Sequence, residues 1–268
     1  MEGNFSFDIS SDEEGIMSQI TTGLYQMSRR MDMSLSKLNK EKENIKSLVT
    51  DISHQIKTPV SSIKLFNSIL IEDKGINESD KMEFLSTVND EVMKLQWLTD
   101  SLIKVSRLEV GMIEIKKENK SIKDTIYQAV ESVYIKAAHK SIEINVEPFE
   151  EIFAFHDVKW TKEAITNVLE NAVKYTEENG NINVSIINME FYCRIDIEDN
   201  GIGIPSKEFN DIFKRFFRGS SKIVQKAEGS GVGLYLTRKI LEEQGGNIIV
   251  DSILGQGTKF SLFLQKCQ

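Results

Sequence analysis

The chain has little proline, little cysteine, no long apolar run and no excess of basic charge. Three prolines in 268 residues leave room for long uninterrupted elements, above all in the first half. The two cysteines, Cys193 and Cys267, have neither metal-ligand spacing nor histidine neighbours, so they read as ordinary reduced thiols. No stretch of about 18 apolar residues occurs, and the chain itself is not expected to span a bilayer. The opening residues, MEGNFSFDISSDEEG, are acidic and polar, unlike a signal peptide. Lys and Arg number 33 against 41 Asp and Glu, a net charge of -8. That balance argues against a nucleic-acid partner, because nucleic-acid-binding domains carry a basic face. What is present, 40% hydrophobic and 28% charged residues, is the composition of a soluble globular protein long enough for one large domain or two ordinary ones.

The pattern changes near residue 112. Before it, Gly and Pro are almost absent and two long helices are expected. SSDEE at 10–14 offers an N-cap serine followed by acids suited to a helix N-terminus. Ile45, Val49, Ile52, Ile56, Pro59, Ile63, Phe66 and Leu70 recur at alternating steps of four and three, the seam of a coiled coil or four-helix bundle. Upstream the d positions stay apolar (Met17, Leu24, Met31, Leu38), whereas Thr21, Ser28 and Lys42 make the a positions mostly polar and the packing weaker. EDKGINESD at 72–80 breaks the pattern, and a second run follows: Leu85, Val88, Val92, Leu95, Leu102 and Val105. Two such helices form a hairpin, and pairing two hairpins into a four-helix bundle covers the stripe, so a homodimer is expected. The expected domains are an N-terminal signalling helix (1–44), a helical hairpin (45–111) and an α/β domain (112–268).

In the α/β domain, the strand MIEIKK precedes a helix over about 121–138, then strands SIEINVE and EIFAFH and a helix over about 157–177. NINVSIIN and EFYCRIDIED form a hairpin turning near 188–190. A long loop, a helix over about 231–243 and strands NIIVDS and KFSLFLQ close the domain. Interleaved strands and helices predict a sheet covered by helices on one face.

Three constellations in this region carry chemistry. By the two-residue strand period, Phe191, Cys193, Ile195 and Ile197 share an inward face, and Asp199 falls on it at the strand end. A buried carboxylate needs a partner, and the amino group of adenine would serve; a turn or cap aspartate is the alternative. The following NGIGIP has Gly201 and Gly203, which let the backbone approach a flat ring or a phosphate. On the helix AITNVLENAVKYT, the stripe Trp160, Ala164, Val168 and Ala172, with Ile165 and Leu169, faces the core. Asn167, Asn171, Lys174 and Tyr175 share an adjacent face. Two asparagines one turn apart in mid-helix need a reason, since Asn is a poor helix former. Amide oxygens can ligate Mg²⁺, and Lys174 would bring charge to phosphates; the alternative is a polar face in water. In GSGVGLYLTRKI, Gly229, Gly231 and Gly233 open a helix whose free N–H groups favour phosphate, although a flexible loop gives the same pattern. The loop before it holds Lys214, Arg215 and Arg218 with Ile212, Phe213, Phe216 and Phe217, as a mobile nucleotide lid or a disordered surface loop would.

Taken together, these motifs resemble the sensor histidine kinases over about residues 40 to 268. NVLENAVKYT is similar to the N box, DNGIGIP to the G1 box, IFKRFFRG to the F box and GSGVGL to the G2 box, with GQGTKF like the final glycine-threonine element. The resemblance implies a GHKL-type ATP-binding fold, a mixed sheet backed by three helices. It implies that Asp199 reads adenine with Thr258 nearby, that Asn167 and Asn171 hold Mg²⁺, and that Lys174, Tyr175 and Arg218 approach the ribose or phosphates. Arg215 is expected to accompany them.

HQIKTP, at the start of the hairpin, resembles the H box of phosphoacceptor domains, which implies His54 as nucleophile. Two residues past the d position Ile52, His54 occupies f, the most exposed heptad position, where a neutral imidazole can meet ATP. Pro59 removes the bond to the Gln55 carbonyl and should bend the helix just past His54. His139 and His156 read as surface or strand-end residues. One departure stands out: the family usually has Glu or Asp where this chain has Gln55. A carboxylate can take the imidazole Nδ1 proton, whereas Gln55 can only accept the hydrogen bond. By resemblance Thr58 positions water for dephosphorylating a partner. The expected function is therefore an ATP-dependent protein-histidine kinase core that phosphorylates His54 and passes phosphate to an aspartate of a response regulator receiver domain. It is expected in the cytoplasm, as part of a membrane-bound sensor. The rivals are a phosphatase-dominant or scaffold relative made weak as a kinase by Gln55, and a GHKL ATPase that uses ATP as a conformational clamp.

Overall fold

The computed structural model describes residues 16–72, 75–109, 115–227 and 229–266. The SSDEE cap, the start of MIEIKK and Cys267 lie outside the described residues. The chain divides into two compact units, Met1–Thr58 and Pro59–Gln268, each of which is described by itself.

In the first unit, helix α1 (Ile16–Glu72, a single helix of 57 residues) begins. Its heptad d side chains Met17, Leu24, Met31, Leu38 and Ile45 are all more than half exposed. His54, Gln55 and Thr58 are exposed as well, and Ile52 is half-buried. The helix therefore presents an apolar stripe and the HQIKT segment to its surroundings.

The second unit opens with the last turns of α1 and then helix α2 (Glu78–Glu109). Asn77 caps α2, its Oδ1 accepting from the Asp80 N–H at 2.8 Å. Phe66 and Phe84 pack with ring centroids 5.3 Å apart. The apolar run on α2 is unevenly covered: Leu85 and Val92 are exposed, Val88, Leu95 and Leu102 are half-buried, and Leu98 is buried. The side chain of Val105 lies outside the described residues.

The α/β part contains β1 (Glu118–Ser121), α3 (Ile122–His139), β2 (Glu143–Val146), β3 (Phe153–His156), α4 (Val158–Tyr175), β4 (Asn181–Asn188) and β5 (Tyr192–Asp199). A 3₁₀ turn (Ser206–Glu208), α5 (Lys222–Lys226), α6 (Gly233–Glu243), β6 (Asn247–Ile253) and β7 (Gly257–Gln265) complete it. Five strands form a mixed sheet in the order β2-β4-β5-β7-β6. β2 runs parallel to β4, and the other neighbours are antiparallel. Helices α3, α4 and α6 bury their apolar stripes against the sheet, with Ile126, Val133, Ile165, Leu169, Ile195 and Leu262 fully covered. The mixed, helix-backed sheet expected from the sequence is the sheet observed.

Two local expectations are corrected. Ile115–Lys117 of MIEIKK are not a strand; the strand is the following ENKS, paired antiparallel with β3. Its residues are mostly exposed and polar, so backbone pairing with Phe153–His156 defines it and no hydropathy period does. Phe191 does not continue the inward face of β5. It sits in the β4–β5 turn, 56% exposed, where the chain has already reversed.

Candidate functional site

Helix α4 is fixed at both ends. Asp157 caps its N-terminus, accepting from the Trp160 N–H at 3.1 Å, and its own N–H donates to Gln244 Oε1 at 2.7 Å. Thr161 Oγ1 donates to the same oxygen at 3.2 Å, so the start of α4 is tied to the end of α6. At the other end the ammonium of Lys140 donates to the carbonyls of Val173, Lys174 and Thr176 at 3.0, 2.9 and 2.9 Å. These are groups that a helix C-terminus leaves without intrahelical partners. Ala164, Ile165, Val168 and Leu169 are fully buried, which turns Asn167, Asn171, Lys174 and Tyr175 toward a cavity.

That cavity, about 730 Å³, is lined by Asn167, Asn171, Lys174, Tyr175, Asp199, Gly203, Arg218, Gly229, Gly231, Gly233 and Thr258. Lys140, Glu170, Glu208 and the α2 residues Asp90, Met93 and Lys94 complete much of the wall. Gly201 and Arg215 are not among the lining residues. Gly201 is small for another reason: a Cβ there would lie 2.4 Å from the Tyr175 carbonyl oxygen. The Arg215 guanidinium lies over the Tyr235 ring, 5.5 Å from its centroid.

The base of the cavity is made by adjoining strands. Asp199 ends β5 directly opposite Thr258 of β7, and both are buried. Burial raises the Asp199 carboxyl to about 6, an effect only partly offset by backbone N–H donors from Gly201 and Thr258. The Gly201 bond to Oδ1 is 2.9 Å. Beside them Gly203 adopts φ +69, and a Cβ on it would lie 2.2 Å from the Ile253 carbonyl oxygen. The loop after β5 thus lies against the β6–β7 turn, where the Gly255 N–H donates to the Ile202 carbonyl at 2.8 Å. Ser252 joins the two segments, accepting from the Ile204 N–H at 2.8 Å and standing 3.0 Å from Thr258 Oγ1.

Residues of the segment 204–227, among them Pro205, Phe217, Gly219 and Ser221, line the same cavity. Ile212 and Phe213 are buried in the main core, and Phe213 meets Phe260 edge-on at 6.5 Å. Glu208 is buried and accepts from Ser220 Oγ at 2.7 Å. Arg218 Nη2 donates to the carbonyls of Val224, Gln225 and Ala227 at the end of α5. A Cβ on Gly229 would lie 2.7 Å from Lys174 Nζ, so this segment passes close to the end of α4.

The Asn167 Nδ2 is buried without a hydrogen-bond partner. An orphaned amide on a cavity wall suits a polar ligand, and rotation about χ2 offers its oxygen instead. Among the described residues no cluster of three His, Cys, Asp or Glu side chains could hold a metal. The amide oxygens of Asn167 and Asn171, together with a ligand's own oxygens, are hard donors of the kind that would suit Mg²⁺.

Residues 45–111 match the family described as the His Kinase A (phospho-acceptor) domain, and residues 156–268 match the Histidine kinase-, DNA gyrase B-, and HSP90-like ATPase family. The chain belongs to the histidine kinases. Its C-terminal domain is of that ATP-binding type, in the order expected from the motifs. Sensor protein SrrB of Staphylococcus aureus (strain N315) is 27% identical over 222 residues, covering 82% of this chain and 38% of SrrB. The chain thus spans well under half the length of the curated relatives it matches. Among solved structures, histidine kinase ThkA in complex with response regulator protein TrrA aligns over 87% of this chain and 66% of that chain, with TM-score 0.68 and 19% identity. The Acinetobacter baumannii histidine kinase AdeS aligns over 80% of this chain and 98% of its own, with TM-score 0.64 and 17% identity. Both likenesses are of fold. Among the described residues no helix is long and apolar enough to cross a membrane.

Sequence reasoning missed Lys140, Ser252 and Glu208. None lies in a motif; each acts on a segment brought to it by the fold. His139 is exposed, but His156, at the end of β3, is fully buried. Its ring nitrogens lie 3.0 Å from Thr125 Oγ1 and 2.9 Å from the Ala154 carbonyl oxygen. Burial lowers its pKa, and the neutral ring serves as a core residue.

Proposed function

We propose that this chain is the ATP-dependent kinase core of a two-component sensor, which phosphorylates its own His54 and passes the phosphate to an aspartate of a response regulator receiver domain. The observation that carries the reading is one cavity lined by Asn167, Asn171, Lys174, Tyr175, Asp199 and Thr258, in a chain that also exposes His54 on a helix. Asp199 and Thr258 take the adenine. Lys174, Tyr175 and Arg218 approach the ribose and phosphates, with Gly203, Gly229, Gly231 and Gly233 giving the backbone close approach. Asn167 and Asn171 would hold Mg²⁺, which when bound neutralises phosphate charge. Phosphoryl transfer needs positioning and charge neutralisation more than covalent help, which suits these residues.

At the acceptor, His54 Nε2 supplies the electron pair that forms the P–N bond as the bond from the γ-phosphorus to its bridging oxygen breaks. ADP leaves with the pair of the broken P–O bond, and the Nδ1 proton passes to solvent. Gln55 orients the ring through its amide oxygen, and Thr58 positions water for removing phosphate from the regulator. The exposed stripe from Met17 to Val49 supports a homodimer that covers it. The fold shared with ThkA, solved with the response regulator TrrA, is compatible with the partner class. ATP as donor puts the working chain in the cytoplasm.

Incubation with γ-labelled ATP and Mg²⁺ should leave acid-labile, base-stable label on the protein, and His54→Ala should abolish it. Label retained in His54→Ala would remove His54 as acceptor. Gln55 favours a second reading, a phosphatase-dominant or scaffold relative. Nucleotide binding without any label on the wild type would select it.

A further inference from the structure

We infer that Ser252 fixes the direction of the Thr258 hydroxyl, and so makes the base end of the cavity a set of hydrogen-bond acceptors that selects adenine over a 6-oxopurine. The inference rests on the nucleotide-binding reading above and adds a residue that determines its base specificity.

The polarity follows from counting protons. Ser252 Oγ has three neighbours: the Ile204 N–H at 2.8 Å, the Gly257 carbonyl oxygen at 2.7 Å and Thr258 Oγ1 at 3.0 Å. A backbone N–H only donates, so Ser252 accepts from Ile204. A carbonyl oxygen only accepts, so the single Ser252 proton goes to Gly257. The remaining contact is satisfied only if Thr258 donates to Ser252, which fills both serine lone pairs. Thr258 has one hydroxyl proton, and it is now held away from the cavity. Its oxygen can then only accept.

Thr258 and Asp199 are opposite one another in the β5–β7 register and both line the cavity. Asp199 is also an acceptor, with Oδ1 already receiving the Gly201 N–H. The exocyclic amine of adenine offers two protons to such a pair. Hypoxanthine and guanine bring a carbonyl oxygen to the same place, lone pair against lone pair, and buried acceptors left unmatched in this way discriminate strongly. Removing the Ser252 hydroxyl releases the Thr258 proton, which can then be donated to a 6-oxo group. Ser252 acts through Thr258 and is a positioning residue.

The test is displacement of a fluorescent ATP analogue by ATP, ITP and GTP at about pH 8, using wild type, Ser252→Ala and Ser252→Thr. The wild type should prefer ATP. Ser252→Ala should narrow the ATP-to-ITP preference about tenfold, mainly through tighter ITP binding, and Ser252→Thr should restore it. In a Thr258→Val background Ser252→Ala should leave the ratio unchanged. A merely structural role would weaken ATP and ITP equally; an unchanged ratio in Ser252→Ala with ATP still bound would overturn this inference alone. Wild type that binds no nucleotide would overturn the nucleotide reading and this inference with it. If Ser252→Ala does not fold, Ser252→Cys, a weak donor and acceptor, makes the same comparison.

Discussion

The ammonium of Lys140 lies 2.9 Å from the carbonyl oxygen of Lys174, 34 positions along the chain. Together with its bonds to the Val173 and Thr176 carbonyls, it clamps the last turn of the helix that carries Asn167, Asn171, Lys174 and Tyr175 to the cavity. Both the unpaired carbonyls and the negative end of the helix dipole favour a cation there. Lys140→Met keeps most of the aliphatic stem and removes all three donors. It should destabilise the domain by about 1–3 kcal/mol in thermal denaturation and weaken ATP binding several-fold, because Lys174 and Tyr175 ride on the released turn. Lys140→Arg should retain most of both. An unchanged melting temperature in Lys140→Met would show that the clamp contributes nothing.

Asp199 makes stability depend on pH in a definite direction. Its folded pKa of about 6 exceeds the ordinary 3.8, so the native state holds the proton more tightly than the unfolded chain does. The stabilisation from that proton is complete below about 3.8 and lost as pH rises through about 6. Above that window the folded protein carries a buried charge at a cost of about 3 kcal/mol. Asp199→Asn should therefore melt higher than wild type. The gap should open as pH is raised between about 4 and 6 and stay level above, while ATP affinity falls at least tenfold. A constant gap across the range would mean that burial does not perturb this carboxyl.

The division between what could and could not be read from the sequence follows the range of each interaction. Asn167, Asn171, Lys174 and Tyr175 were legible because the helical period places them on one face without knowledge of any neighbour. Asp199 was legible from strand parity, and the same parity failed at Phe191 because the chain turns there. Arg215 had the expected charge and neighbourhood, but its guanidinium lies over the Tyr235 ring of α6. Lys140, Ser252 and Glu208 left no local signature, since their partners lie on segments brought in by the fold. β1 was hidden for a related reason: a polar edge strand is defined by its pairing, and ENKS has no apolar period to show. His156 ends its strand as expected, yet it is buried because α3 brings Thr125 to it.

Gly203 should be among the least replaceable residues of the site. Its φ of +69 disfavours any side chain, and an added Cβ would meet backbone, the Ile253 carbonyl oxygen at 2.2 Å. Backbone cannot swing aside as a flexible side chain can, so the loop after β5 must move. Gly203→Ala should cost about 1–3 kcal/mol and reduce nucleotide affinity by displacing the wall next to Asp199. Gly23→Ala, in α1, provides the contrast: nothing lies within 4 Å of its added Cβ, and the helix should gain up to about 1 kcal/mol. Chemical denaturation of the two variants beside wild type checks both signs.

Gln55 sets the rate at which His54 can be phosphorylated under the proposed function. The imidazole gains a positive charge as its Nε2 bonds to phosphorus, and a neighbouring carboxylate would accept the Nδ1 proton. An amide oxygen can hold the ring but cannot take that proton. Restoring the acid as Gln55→Glu should raise the initial rate of autophosphorylation about tenfold or more. The KM for ATP should stay the same, since the substitution leaves Asn171 and Asp199 untouched. The readout is the time course of label from γ-labelled ATP over a range of nucleotide concentrations up to saturation. An unchanged rate would mean that proton removal by this neighbour does not limit the step, and that positioning of His54 against the γ-phosphate does. A rate raised only together with a lower KM would point instead to a better-bound nucleotide and would remove the base role from this position.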